Sequence, residues 1–234
     1  MKNLCIIPAR SGSKGLKDKN IRLLNGIPLI AYTIMSAKKT GIFDEIMVST
    51  DSSKYANIAV EYGASVPFFR SPKTSLDNSS SWDVVKEVLE NYNNMGKTFE
   101  NVVLLQPTSP LRDESDIASA FELFVTNNAN YVVSVCETDH SPLWCNTLPT
   151  NLSMNGFISK DVMNMPRQKL PTFYRLNGAI YIIKKDYLEK NEPKDFFSES
   201  SFAYIMDKEK SIDIDDLYDF VFAETILKFK EEKE

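Results

Sequence analysis

Histidine is almost absent from this chain and cysteine is scarce: His140 stands alone, and Cys5, Cys136 and Cys145 share no short spacing. A Cys/His metal site therefore has no ligand set to draw on, and a Ser-His-Asp hydrolase would have to use His140 as its base. So few thiols, without pairing, suit a reducing compartment. No apolar run approaches the length of a membrane span, and the stretch from Leu4 to Pro8 is too short for a signal-peptide core. The expectation is a cytoplasmic protein, not integral to a membrane. Positive charge is not in excess either, since 27 Lys and Arg against 32 Asp and Glu give a net charge of −5. No global field draws nucleic acid, and a polyanion must meet a local basic cluster.

What is present describes a globular chain. The 234 residues are 43% hydrophobic and 25% charged, enough to bury a full core. Apolar runs at Leu4–Ile7, Glu45–Ser49, Ser65–Phe69, Val102–Gln106, Tyr131–Val135 and Ala179–Ile183 read as strands buried on both faces. Helical spacing separates several of them, at Leu29–Lys39, Lys54–Tyr62, Trp82–Tyr92 and Asp116–Val125, with a last helix over Asp216–Lys230. This βα alternation predicts an α/β fold with a mainly parallel sheet, whose ligands bind at the carboxyl ends of the strands. Residues 137–177 carry Pro142, Pro149, Pro166 and Pro171 without a sustained period, and read as a lid or interface excursion. No repeat or linker divides the chain, so residues 1–234 read as a single domain.

Four clusters carry chemistry. After the first strand, residues 8–20 hold one Arg, three Lys, two Gly and two Ser. Glycines let the backbone aim its N–H groups inward, hydroxyls add donors and the cations balance negative charge, which makes a polyphosphate cradle. The P-loop spacing is missing, and a solvated basic turn is the alternative. In Ser211-Ile212-Asp213-Ile214-Asp215-Asp216, alternation points Asp213 and Asp215 together while the isoleucines pack inward. Two hard oxygen ligands suit Mg²⁺, unless Asp215 or Asp216 merely caps the last helix. Gln106-Pro107-Thr108-Ser109-Pro110-Leu111-Arg112 is a stiff polar turn at a strand end. Arg167 and Lys169, then Arg175 and Asn177, either hold a second anionic substrate or form an exposed charged loop.

These motifs, with Val48-Ser49-Thr50-Asp51, Pro166-Arg167-Gln168-Lys169-Leu170-Pro171 and Asn177-Gly178-Ala179-Ile180-Tyr181, resemble the acylneuraminate cytidylyltransferases, the CMP-sialic acid synthetases, in the family's order from residue 4 to about 216. The resemblance implies a Rossmann-like nucleotidyltransferase sheet with helices on both faces. It implies transfer of CMP from CTP to the anomeric hydroxyl of a nine-carbon 2-keto sugar acid, N-acetylneuraminic acid first and legionaminic or pseudaminic acid as alternatives, with Mg²⁺ and release of pyrophosphate.

Carried over by motif, Arg10, Ser13, Lys14, Lys19 and Asn20, with Arg70 and Ser80, bind the nucleotide. Gln106, Arg167, Arg175, Asn177 and Tyr181 face the sugar, and Phe196 and Phe197 line an acetamido pocket. Asp213 and Asp215 hold the metal, with Arg10, Lys14, Lys19 and Asp215 as the catalytic set and Asp215 as the base. The family pattern further implies a homodimer built through the excursion. The chain is expected to lack the additional C-terminal domain of bifunctional members, and it departs from the family in having Ser11-Gly12 where many have two glycines. Fold alone never fixes function, so a non-catalytic nucleotide or sugar-phosphate binder is the rival. Such a binder would not require the Asp213/Asp215 pair.

Overall fold

The computed structural model describes residues 1–12 and 15–232. In chain order its strands are β1 (Asn3–Pro8), β2 (Leu23–Leu24), β3 (Ile27–Pro28), β4 (Glu45–Ser49), β5 (Asn101–Leu105), β6 (Tyr131–Glu137), β7 (Tyr174–Lys184) and β8 (Ser201–Ile205). Its α-helices are α1 (Leu29–Thr40), α2 (Ser53–Glu61), α3 (Ser81–Asn94), α4 (Glu114–Thr126), α5 (Lys160–Met163), α6 (Lys185–Lys190) and α7 (Leu217–Glu231). Among the described residues six strands form one sheet, in the order β4-β1-β5-β7-β6-β8. The β4/β1, β1/β5 and β6/β8 pairs are parallel, and β7 runs antiparallel to both of its neighbours.

Continuous apolar strands can be buried on both faces, and here they are. Cys5 and Ile7 of β1 pack with Ile30 and Ile34 of α1, Tyr55 of α2 and Ile117 of α4. Leu4 and Ile6 point the other way, toward Val84, Val85 and Val88 of α3. A smaller core lies apart: Leu16, Leu24 and Leu29 meet Ile214, Phe220 and Ala223. It joins the basic loop to the segment before α7, bringing together residues about two hundred positions apart in sequence.

The helices start where local chemistry tells them to. Ser80 with Asp83, Asp113 with Asp116 and Asp216 with Asp219 form reciprocal capping boxes at the N-termini of α3, α4 and α7. Asp216, and not Asp215, is therefore the cap of the last helix. Replacing Asp216 by alanine is expected to cost about 1 kcal/mol of stability, read as a lowered urea midpoint; an unchanged midpoint would mean that the cap contributes nothing.

Three expectations are corrected. Residues 65–69 are not a strand: Ser65 makes an isolated parallel bridge to Met47, and Pro67 has no N–H with which to continue the ladder. The strand expected from Ala179 begins at Tyr174, because Val135, Cys136 and Glu137 of β6 pair with Leu176, Arg175 and Tyr174. The irregular excursion accordingly narrows to 138–173. The sixth strand of the sheet, β8, lies where none was expected, parallel to β6. Among the described residues no helix is long and apolar enough to cross a membrane.

Candidate active site

β1, β4 and β5 run in one direction, and the loops leaving their carboxyl ends enclose a cleft of about 440 Å³ lined by Arg10, Lys19, Asn20, Arg70, Gln106 and Asp215, among others. This is the edge at which parallel sheets bind ligands. Ser13 and Lys14 lie outside the described residues. Asn20 is almost fully buried and donates from Nδ2 to the Arg10 carbonyl at 3.2 Å, closing the loop on itself. Arg10 reaches Asp77 Oδ1 with Nη2 at 2.7 Å. Lys19 donates from Nζ to the Ile214 carbonyl at 2.5 Å and lies 3.3 Å from Asp215 Oδ1.

Arg70 is only 8% exposed, and its Nε has no hydrogen-bond partner among the described residues. Burial lowers its pKa, and the charge of Arg10 acts in the same sense against Asp51 and Glu87. A buried guanidinium with an unused donor is a costly arrangement unless an anion completes it. Gln106 holds Ser81 Oγ from Nε2 at 3.3 Å, while its carbonyl accepts from the buried Arg112 at 3.1 Å. For the nucleotide that the sequence resemblance implies, replacing Arg70 by methionine is expected to weaken binding about tenfold or more, the worth of one charge-assisted hydrogen bond. Calorimetric titration checks this, and an unchanged affinity would leave Arg70 a packing residue.

A second cleft, of about 580 Å³, opens on the other side of Asp215 and is lined by Asp213, Arg175, Asp139 and Lys208, among others. Asp215 lines both clefts and is 81% exposed. Ile214 is tied by its N–H to the Thr108 carbonyl at 2.9 Å, so the acidic segment is laid against the Gln106–Arg112 turn. Burial raises the pKa of Asp213; the Thr108 hydroxyl opposes this and the charge of Asp215 adds to it. Tyr181 is also raised, by burial and then by Asp213. Arg175 donates from Nη2 to the Ser211 carbonyl at 3.5 Å.

Other candidates fall elsewhere. Asn177 is 2% exposed, and its side chain is taken up by Ser134 Oγ at 2.6 Å and Ser211 Oγ at 2.9 Å. It braces β6, β7 and the acidic segment from beneath rather than facing a cleft. Ser80 gives its hydroxyl to the cap of α3, accepting from Trp82 N–H at 3.1 Å, and its neighbour Ser81 lines the first cleft instead. Arg167 sits on the excursion, bonded to the Asp139 carbonyl at 3.0 Å, in a cavity of about 300 Å³ that shares Asp139 with the second cleft. Phe196 is 1% exposed and packs on Trp82, whereas Phe197 is largely exposed beside Tyr131. Of the two, Phe197 is the one open to a ligand. The sequence reading missed Asp77 as the partner of Arg10; no local spacing pattern links positions so far apart in the chain.

A family model described as cytidylyltransferase matches residues 4–232. An N-acylneuraminate cytidylyltransferase of Streptococcus agalactiae is 42% identical over 227 residues, covering 94% of this chain and 52% of the relative. The chain thus spans about half the length of that curated relative. A CMP-N,N'-diacetyllegionaminic acid synthase of Legionella pneumophila is 37% identical over 99% of both chains, and a pseudaminic acid cytidylyltransferase of Campylobacter jejuni is 34% identical over 99% of both. Among solved structures, a CMP:2-keto-3-deoxy-manno-octonic acid synthetase complexed with CTP superposes with a TM-score of 0.73 at 15% identity, over 98% of this chain and 100% of that one. That likeness is one of fold.

Proposed function

The chain belongs to the cytidylyltransferase family, and from that premise we propose that it transfers CMP from CTP to the anomeric hydroxyl of a nine-carbon 2-keto sugar acid, with N-acetylneuraminic acid as the acceptor. The observation that supports this most directly is the meeting of two clefts at one carboxylate. Arg10, Lys19 and Arg70 gather on one side of Asp215, and Arg175 and Asp213 stand on the other. A polyanionic nucleotide suits the first cleft; in the second, which five acidic residues line, Arg175 is the cation assigned to the acceptor carboxylate, since Lys208 pairs with Asp139.

In this reading the acceptor oxygen attacks the α-phosphorus; the new P–O bond forms as the bond to the β-phosphate breaks, and pyrophosphate leaves. Positioning and charge dispersal dominate such a transfer. Arg10, Lys19 and Arg70 hold the phosphates, with Lys14 of the same sequence motif assigned to them as well. Arg175 pairs with the acceptor carboxylate and so turns the hindered tertiary hydroxyl toward the phosphorus, while Asp215 takes the hydroxyl proton. Asp213 and Asp215 would hold Mg²⁺. Among the described residues no third acid, histidine or cysteine joins them in a larger cluster, which fits an ion that uses one or two carboxylates and fills its shell with water and phosphate. Burial, and after it the charge of Asp215, raises the pKa of Asp213, and a cation held by the pair would favour its ionised form. When bound, the ion neutralises charge building on the phosphates.

The test is pyrophosphate release with each nucleotide against a panel of nonulosonic acids. CTP should far exceed UTP, ATP and GTP, and equal turnover with UTP would overturn the nucleotide assignment. Fastest turnover with legionaminic acid would move the acceptor to the alternative that the Legionella relative supports. No release with any acceptor would leave the binding module standing. Arg175→Ala is expected to raise KM for the sugar acid about tenfold or more while leaving KM for CTP within twofold, roughly the cost of one charge-assisted contact. A rise in KM for CTP alone would reverse the two clefts.

The same reading makes the molecule a homodimer. The excursion at 138–173 exposes Leu148, Leu152, Met154 and Met163, apolar side chains that a second copy of the chain would cover. Light scattering at micromolar concentration should give twice the chain mass; a monomer would overturn this.

A further inference from the structure

Arg10 stands at the mouth of the first cleft, and the way its backbone is held points to a residue the reaction scheme does not use. The residue before it, Ala9, donates its N–H to the Ser49 carbonyl at 2.9 Å. The residue after it, Ser11, donates its N–H to Asp51 Oδ1 at 2.7 Å and its hydroxyl to Asp51 Oδ2 at 2.9 Å. Between Ser49 and Asp51, the Thr50 carbonyl accepts the N–H of Arg70 at 2.8 Å. Three consecutive residues at the end of β4 thus fix the backbone of both guanidinium-bearing positions.

Ser49 and Thr50 act through main-chain oxygens that any residue would supply, and both are buried. Asp51 acts through its side chain and is exposed, so packing gives no reason for an acid there. Both of its oxygens are used on one residue, in a two-pronged grip that fixes direction as well as distance. The helix that follows adds a second hold: Tyr55, 1% exposed, donates its hydroxyl to Asp18 Oδ1 at 3.1 Å near the far end of the same loop. The basic loop is therefore pinned near one end by the β4–α2 connection and near the other by α2 itself.

We propose that Asp51 is a positioning residue for the nucleotide: it clamps Ser11 so that Arg10 meets the triphosphate in a preset orientation. This rests on the reading of Arg10 as a phosphate ligand given above. Preorganisation of this kind lowers the ordering cost of binding, so its loss appears in affinity for CTP and not in use of the sugar acid.

The experiment is a double-mutant cycle read by calorimetric titration of CTP with Mg²⁺, beside KM for both substrates. Asp51→Ala should weaken CTP binding about tenfold, with KM for the sugar acid unchanged, and Asp51→Asn, which keeps an acceptor for the Ser11 N–H, should recover most of it. In an Arg10→Ala background the same Asp51→Ala change should have a clearly smaller effect, because the group it positions is gone and only the charge that Asp51 sets near Arg70 remains. An equal loss in both backgrounds, or no loss in the first, overturns the inference. Wild-type affinity in Arg10→Ala itself overturns the phosphate role of Arg10 instead, and the two failures are thereby told apart. Should Asp51→Ala melt early, Ser11→Ala, which removes only the hydroxyl's bond, takes its place in the cycle: a loss of CTP affinity confined to the Arg10 background supports the clamp, and an equal loss in both backgrounds overturns it.

Discussion

Asp213→Asn and Asp215→Asn are each expected to fold normally and to lose about 10²–10³ of turnover, the usual cost of removing one electrostatic contact to a transition state. The stability side of this follows from the surroundings of Asp213. Its pKa is raised in the fold, first by burial and also by the charge of Asp215. A carboxylic acid whose folded pKa lies above its unfolded value favours the fold below the unfolded pKa, and that contribution is lost as pH rises through the folded one. At neutral pH the ionised pair therefore costs stability, and an asparagine at 213 removes the charge while keeping an acceptor for the Thr108 hydroxyl. Its melting temperature should equal or exceed that of the wild type. Asp215 is largely exposed, so its replacement should leave melting unchanged. Mn²⁺ binding, followed by its paramagnetic signal, should weaken in both variants, independently of turnover. The Asp216→Ala cap variant gives the opposite pair of results, lower stability with activity retained. Near-normal turnover of both asparagine variants at limiting Mg²⁺ would return the pair to a structural role.

How much of this was legible in the sequence depends on the range of the interactions. The strand β1 and the α7 cap depend on neighbours within a few residues, and an apolar run and Asp-x-x-Asp spacing report them directly; the basic loop shows its composition locally, but Asp51, Tyr55 and Ile214, which hold it, lie far along the chain. Ser65–Phe69 misled because its apolar character was real while Pro67 removed the donor that a ladder needs. The hairpin of β2 and β3 had a local signal in Asn25-Gly26, both at positive φ, the pair that a two-residue turn favours. β8 had little: it is a short edge strand with Ala203 and Ile205 exposed, so its pattern does not alternate cleanly. Asn177 was beyond any local rule. A polar residue before an apolar strand looks like a ligand, and only Ser134 and Ser211, brought in by β6 and the acidic segment, turn it into a buried brace.

Gly15→Ala is expected to lower kcat about 10²-fold while leaving affinity for CTP and for Mn²⁺ within a few-fold of wild type, because a displacement near 1 Å at a reacting centre carries a penalty of that order. A Cβ at this position would lie 2.6 Å from the Asp215 carbonyl oxygen and 3.7 Å from its carbon, and neither side of that contact is a flexible side chain. Relief by local rotation is also restricted. Leu16, the next residue, is anchored with Ile214 and Phe220 in the small core, and Lys19 holds the Ile214 carbonyl from above. The methyl group must therefore push the basic loop and the acidic segment apart as two bodies, each keeping its own ligands. Overpacking of this kind costs about 1–3 kcal/mol of stability, so the variant should still fold. Since Arg10 and Arg70 stay on one side of the gap and Asp213 on the other, binding to each half survives while the alignment between them is lost. Unchanged kcat would show that the two segments need not be in register for transfer. A collapse of CTP binding equal to the fall in kcat would place the damage in the loop itself rather than in its distance from Asp215.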